Sequence, residues 1–194
     1  MKFIELFKTV QPSHGKFLAR VFGIFNEEIV RIWCRDSRAP YKDLGRPTLR
    51  RKSETRGHAL DFSFQDLKNG LIYIVEMKCW LEYQNYKYLS LTAPSFLDCF
   101  EGDPAFDKFL EVSKGNGICQ VFIDSESVCI SGGILIWGSV SESGRSALMK
   151  ERRLHDVLSL ENIISNLVSW QNQEYKDFLN ARASRMNELI KGLS

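Results

Sequence analysis

What the chain lacks narrows its class before any motif is considered. No apolar run reaches the roughly 18 residues that a membrane-crossing helix needs. The opening MKFIELFKTVQ is interrupted by Glu5 and is followed by no small-residue cleavage site. No secretory leader or membrane span is expected, and the cytoplasm is the expected location. The cysteines (Cys34, Cys79, Cys99, Cys119 and Cys129) are odd in number and contain no C-x-x-C pair. That argues against a zinc site or a disulfide framework and leaves most of them as small buried hydrophobes. Internal repeats, low-complexity tracts and long linkers are also missing, so residues 1–194 are expected to form one domain. Nor is there a large charge excess. At +2, the net charge does not by itself announce a nucleic-acid partner.

Hydrophobic residues make up 44% of the chain and charged ones 26%, enough for one sizeable core with an ordinary charged surface. The charge is unevenly spread. Eight basic residues (Arg35, Arg38, Lys42, Arg46, Arg50, Arg51, Lys52, Arg56) stand against Asp36, Asp43 and Glu54 in one segment. Such a segment suits phosphate neutralisation, and equally a solvated loop. Before it, Leu18, Val21, Phe22, Phe25, Ile29, Ile32 and Trp33 recur at helical spacing, predicting a helix over about 15–34 with a broad buried stripe. Residues 36–47 carry Pro40, Gly45 and Pro47 and read as a loop.

Beyond this loop the period changes. Strands are expected near 57–64 and 71–80, with Asn69-Gly70 marking a tight hairpin between them. Short helices are expected around 81–92, 95–100 and 104–113, then strands at 118–123, 128–130 and 133–137. Ser159 is the expected N-cap of a helix through Trp170, followed by a more exposed helix from Asn172 to about Lys191. This order predicts an α/β fold, a central mixed sheet flanked by helices.

An acidic residue two before a lysine occurs at Asp66-Leu67-Lys68, Glu76-Met77-Lys78 and Glu174-Tyr175-Lys176. The first falls in the expected turn and the third in a polar helix. Glu76 and Lys78, in contrast, interrupt an apolar strand, where charges are costly unless paired or bound to a metal. Period two puts them on one side of the sheet. A turn at Asn69-Gly70 places Asp61 opposite Lys78 and Ser63 opposite Glu76. A turn at Lys68-Asn69 places Asp61 opposite Glu76. Either keeps all three on one face, whereas a three-residue turn would send Asp61 to the other. Two carboxylates about 5 Å apart across a strand pair repel each other unless a cation intervenes. Their hard oxygen donors suit Mg²⁺. A buried Asp–Lys–Glu ion cluster without metal satisfies the same pattern. His58 is expected on the opposite face.

These residues resemble the signature of the PD-(D/E)xK nuclease superfamily, the restriction-endonuclease-like fold. Asp61 matches its first acid and Glu76-Met77-Lys78 its second motif, while Leu60 replaces the proline that gives the motif its name. The resemblance covers mainly residues 57–80. It implies a nuclease acting on DNA, of the restriction or defence kind, with Mg²⁺ (Mn²⁺ substituting) held by Asp61, Glu76 and the Met77 carbonyl. A homodimer would suit duplex cleavage. Many members add a glutamate from the first helix. Here Glu28 is preferred over Glu27, because it shares the spacing of Val21, Phe25 and Ile32. Gln84 and Tyr88 are similar to a Q-x-x-x-Y motif of the RecB-like branch. An inactive nucleic-acid-binding module of the same fold is the alternative.

Overall fold

The structure is a computed structural model that describes residues 15–79, 89–115, 117 and 119–193. The expected helix around 81–92 therefore lies mostly outside the described residues, as do Gln84 and Tyr88.

Helix α1 (Gly15–Arg35) leads into strand β1 (Tyr41–Asp43), a ribbon of β2 (Thr48–Arg51) and β3 (His58–Ala59), and the hairpin β4 (Phe62–Asp66) and β5 (Ile72–Lys78). After β6 (Ser90–Leu91) and a 3-10 turn (Pro94–Phe100) come α2 (Pro104–Ser113), β7 (Cys119–Ile123), β8 (Glu126–Val128) and β9 (Gly132–Trp137). The chain continues through β10 (Ser139–Val140), α3 (Glu142–Arg152), β11 (Asp156–Ser159), α4 (Leu160–Ser169) and α5 (Gln173–Leu193).

The main sheet has the order β1-β4-β5-β9-β11. Its first two pairings are antiparallel, while β5–β9 and β9–β11 are parallel. It is thus a mixed sheet with helices on both faces. On one face, Phe62, Phe64, Tyr73, Val75 and Ile136 pack against Ile29 and Trp33 of α1, Ile163 and Leu167 of α4, and Tyr175 of α5. On the other, Ile74, Leu135 and Trp137 pack against Phe106 and Phe109 of α2 and Leu148 of α3. A second sheet, β3-β2-β7-β8, contributes Leu49 and Val121 to that same core. Helical covering on both faces explains why β9 is buried along its whole length and reads as an unbroken apolar run.

Several elements depart from the sequence expectations. Strand β1 lies inside the expected loop 36–47. It is short and polar, and pairing with β4 rather than its own pattern makes it a strand. Helix α3 has a weak apolar face with Leu148 as its one fully buried apolar side chain, so its periodicity is faint. Of the free cysteines only Cys34 is fully buried, while Cys99 and Cys129 are exposed. Among the described residues no helix is long and apolar enough to cross a membrane.

The hairpin turn spans residues 67–70, with the Gly70 amide donating to the Asp66 carbonyl at 2.8 Å and Gly70 at φ +75°. Asp66 caps this turn, accepting from the Lys68 amide and the Asn69 side chain. A four-residue turn centred between Lys68 and Asn69 has the same register as the two-residue turn there. The pairs are Phe62 with Val75 and Phe64 with Tyr73, the register whose extension by one residue would set Asp61 opposite Glu76.

Helix α2 crosses the sheet closely at Gly133, where an added Cβ would collide with Ser113 and press on the Phe109 ring. Gly133→Val should therefore lower the unfolding free energy by about 1–3 kcal/mol in a denaturant titration.

Candidate active site

The regular β4–β5 pairing stops at Phe62, and the chain bends at Asp61. Here the Asp61 carboxylate takes over an acceptor role in the ladder, its Oδ2 receiving the Met77 amide at 2.8 Å. This bond fixes Asp61 beside Glu76-Met77-Lys78. Glu76 and Lys78 project from the face of β5 that carries Ile74, toward the core containing α2. They are only 6% and 9% exposed, and their side chains meet at 2.8 Å between Lys78 Nζ and Glu76 Oε1. The Lys78 ammonium also lies 5.1 and 5.4 Å from the ring centres of Phe100 and Phe106, within cation–π range.

A further carboxylate closes this cluster. Asp103 is the N-cap of α2. Its Oδ1 accepts the Ala105 and Phe106 amides, and its Oδ2 lies 3.4 Å from Lys78 Nζ. The cap is legible in Asp103-Pro104. Its approach to Lys78 is not, because it depends on how α2 crosses β5. On the solvent side stands Arg46, whose Nε donates to the Leu60 carbonyl at 3.2 Å and whose Nη2 is 3.8 Å from Asp61 Oδ1.

The first-helix glutamates straddle the border of the buried stripe. Glu28 pairs with Arg35 at 3.0 Å and with Arg31 at 3.7 Å. Glu27 pairs with Arg31 at 3.0 Å and is the α1 carboxylate whose charge is felt at Asp61. Glu27, with 21% of its side chain exposed against 33% for Glu28, is also the less exposed of the two. Ser63 stands opposite Ile74, not Glu76, and its hydroxyl donates to the Gly45 carbonyl at 2.8 Å. The four-residue turn is the reason. His58 sits half-buried on β3 opposite Leu49. Glu174, in the last of the three acid-x-lysine tripeptides, pairs at the surface with Arg35 at 2.7 Å.

The electrostatics follow from burial. Burial and the neighbouring Asp61 charge push Glu76 up to about 7, against the pull of Lys78. Burial also raises Asp61, with the Met77 amide opposing it. For Lys78 burial acts downward, but Glu76, Asp103 and Asp61 outweigh it and hold the ammonium above its ordinary value. Burial acts upward on Asp103, where Lys78 and the helix amides prevail and hold it low. Both carboxyls at the Asp61–Glu76 end are thus raised, first by burial.

Among the described residues no three His, Cys, Asp or Glu side chains gather as a ready metal cage. No family model, curated protein or solved structure matches the chain.

Two outcomes follow from this geometry. A carboxyl held above its unfolded pKa binds its proton more tightly in the folded state, so its contribution is present at low pH and lost as pH rises. Stability should therefore fall between about pH 4.5 and 7, the span from the ordinary value of Glu76 to its raised one. In thermal melts of metal-free protein, Glu76→Gln should flatten this fall. Asp103→Asn keeps both amide hydrogen bonds and removes only the charge facing Lys78. It should cost under about 1 kcal/mol, whereas Asp103→Ala also loses the cap and should cost about 1 kcal/mol more in denaturant titrations.

Proposed function

We propose that the protein is a divalent-metal-dependent endonuclease of the PD-(D/E)xK kind, hydrolysing phosphodiester bonds in DNA in a restriction or defence setting. The observation that carries this reading is the meeting of Asp61, Glu76 and Lys78 at the end of one strand pair, with both carboxylates held above their ordinary pKa values. Such a pair offers hard oxygen donors and gains from a compensating cation. The donor chemistry therefore fits Mg²⁺, or Mn²⁺ in its place. Asp61 and Glu76 would hold the ion together with the Met77 carbonyl, as the family resemblance implies, and water would complete the coordination. When bound, the ion would polarise a phosphoryl oxygen and lower the pKa of a water.

The chain's own groups then have separable tasks. Lys78 stays protonated, so it holds the water or offsets charge developing on the phosphate rather than serving as the base. Asp103 and the Phe100 and Phe106 rings keep its ammonium from swinging away. Arg46, with about half its side chain exposed (55%), is the cation an incoming phosphate would meet first. Duplex cleavage would favour a homodimer, since one site cuts one strand.

A second reading draws on the bonds already made. Glu76 is partnered by Lys78 and Asp61 by the Met77 amide, so the cluster would serve as a buried ionic lock in a non-catalytic nucleic-acid-binding or interaction module.

Supercoiled plasmid and linear duplex, incubated with Mg²⁺, Mn²⁺ or EDTA, separate the two. The nuclease reading expects metal-dependent nicking or cutting that falls at least about a hundredfold in both Glu76→Ala and Lys78→Ala. Intact substrates under every condition would favour the ionic lock.

A further inference from the structure

The segment rich in arginine and lysine is divided by the fold into two groups. Arg35 is taken up by Glu28 and Glu174, Arg38 by Asp36 and Arg51 by Glu111. Glu54, the acid embedded among them, is occupied by the buried Lys108. Lys42 on β1, Arg50, Lys52 and Arg56 form no ion pair with any described residue, and the one ion pair of Arg46 is its long approach to Asp61. Of these, Arg46, Arg50, Lys52 and Arg56 lie on one structural unit. Arg46 sits at the base of the β2–β3 ribbon, Arg50 within it, and Lys52 and Arg56 in the turn at its far end.

The ribbon's orientation is fixed by burial. Leu49 is fully buried and Arg51 reaches Glu111 of α2, so Thr48 and Arg50 must face outward. On the adjoining β7, Val121 and Ile123 are buried, which turns Gln120 and Phe122 outward. The Arg50 guanidinium lies 4.7 Å over the Phe122 ring and is held there rather than left free in solvent. By this alternation no strand residue on the outward face of β2 or β7 is acidic. Asp124 and Glu126 lie beyond Ile123, around the β7–β8 turn.

The ribbon also leads to the candidate site. Strand β3 runs into Leu60 and Asp61, and the Leu60 amide donates to the Pro47 carbonyl at 3.0 Å. We propose that the outward face of the β2–β3 ribbon, with Arg46 at its base, is a track for the sugar-phosphate backbone of duplex DNA, delivering one strand to Asp61 and Glu76. The role of the track rests on the nuclease reading, whereas its affinity for the polyanion does not. The six steps from Arg46 to Lys52 span at most about 20 Å, the length of duplex axis over which one strand carries about six phosphates. The occupant is set by charge complementarity: a line of unneutralised cations, one of them braced on an aromatic ring, fits a regular polyanion.

Fluorescence anisotropy with a short labelled duplex, in EDTA and across a salt series, tests this apart from cleavage. The variant Arg46→Ala/Arg50→Ala/Lys52→Ala/Arg56→Ala should bind at least about tenfold more weakly at low salt. Its slope of log K against log salt should be shallower by roughly 0.9 for each phosphate that the variant no longer neutralises. A control of equal charge loss elsewhere, Lys68→Ala/Lys150→Ala/Lys176→Ala/Arg182→Ala, should keep the wild-type slope. The variant Lys52→Glu/Arg56→Glu, an equal change of four charges confined to the exposed turn, should weaken binding in the same direction without changing the thermal melt. The anisotropy is read in EDTA on uncleaved duplex, so a failed cleavage assay leaves this result standing. Equal weakening in the two quadruple variants, unchanged affinity in the ribbon variant, or no duplex binding by the wild type would overturn the proposal.

Discussion

Everything near the candidate site depends on placing two charged side chains in a strand that is covered on both faces. Glu76 and Lys78 each carry a desolvation penalty that their mutual attraction only partly offsets. The structure surrounds them with compensations: Asp103 from the start of α2, the rings of Phe100 and Phe106, and the Asp61 carboxylate anchored by a backbone amide. The compensation is uneven. Lys78 faces carboxylates on several sides, whereas burial and the neighbouring Asp61 charge raise Glu76 against the pull of Lys78.

Helix α2 joins this cluster to the rest of the fold. Its N-terminus reaches Lys78 through Asp103, its middle packs into the core of the main sheet, and Lys108 and Glu111 reach the second sheet through Glu54 and Arg51. Its close passage over Gly133 leaves little freedom to shift.

The β4–β5 hairpin was the most legible part of the sequence because period two and the residues around Asn69-Gly70 restrict it to a few registers. The observed register pairs Phe62 with Val75, and the Asp61 carboxylate beyond it receives the Met77 amide. Asp66, Asn69 and Gly70 all hold the turn, but as a four-residue connection. Capping residues were similarly readable, and Ser159 starts α4 as its position suggests. Features set by tertiary packing were not readable. Strands β1 and β11 are short and owe their form to the neighbours they pair with. Glu27 and Glu28 stand at opposite borders of one helical stripe, and spacing does not say which border faces the site. Nor does sequence reveal that Asp103 ends beside Lys78, across 25 residues of chain.

The central claim is that Asp61 and Glu76 form a divalent-cation site. Calorimetric titration of metal-free protein with Mn²⁺ near pH 7, in buffers of different ionisation enthalpy, tests it most directly. One saturable site per chain, lost in Glu76→Gln, is the expected result. Proton release on binding is expected with it, because the ion would displace the proton that Glu76 partly retains at this pH. No binding, or binding that Glu76→Gln leaves unchanged, would contradict it.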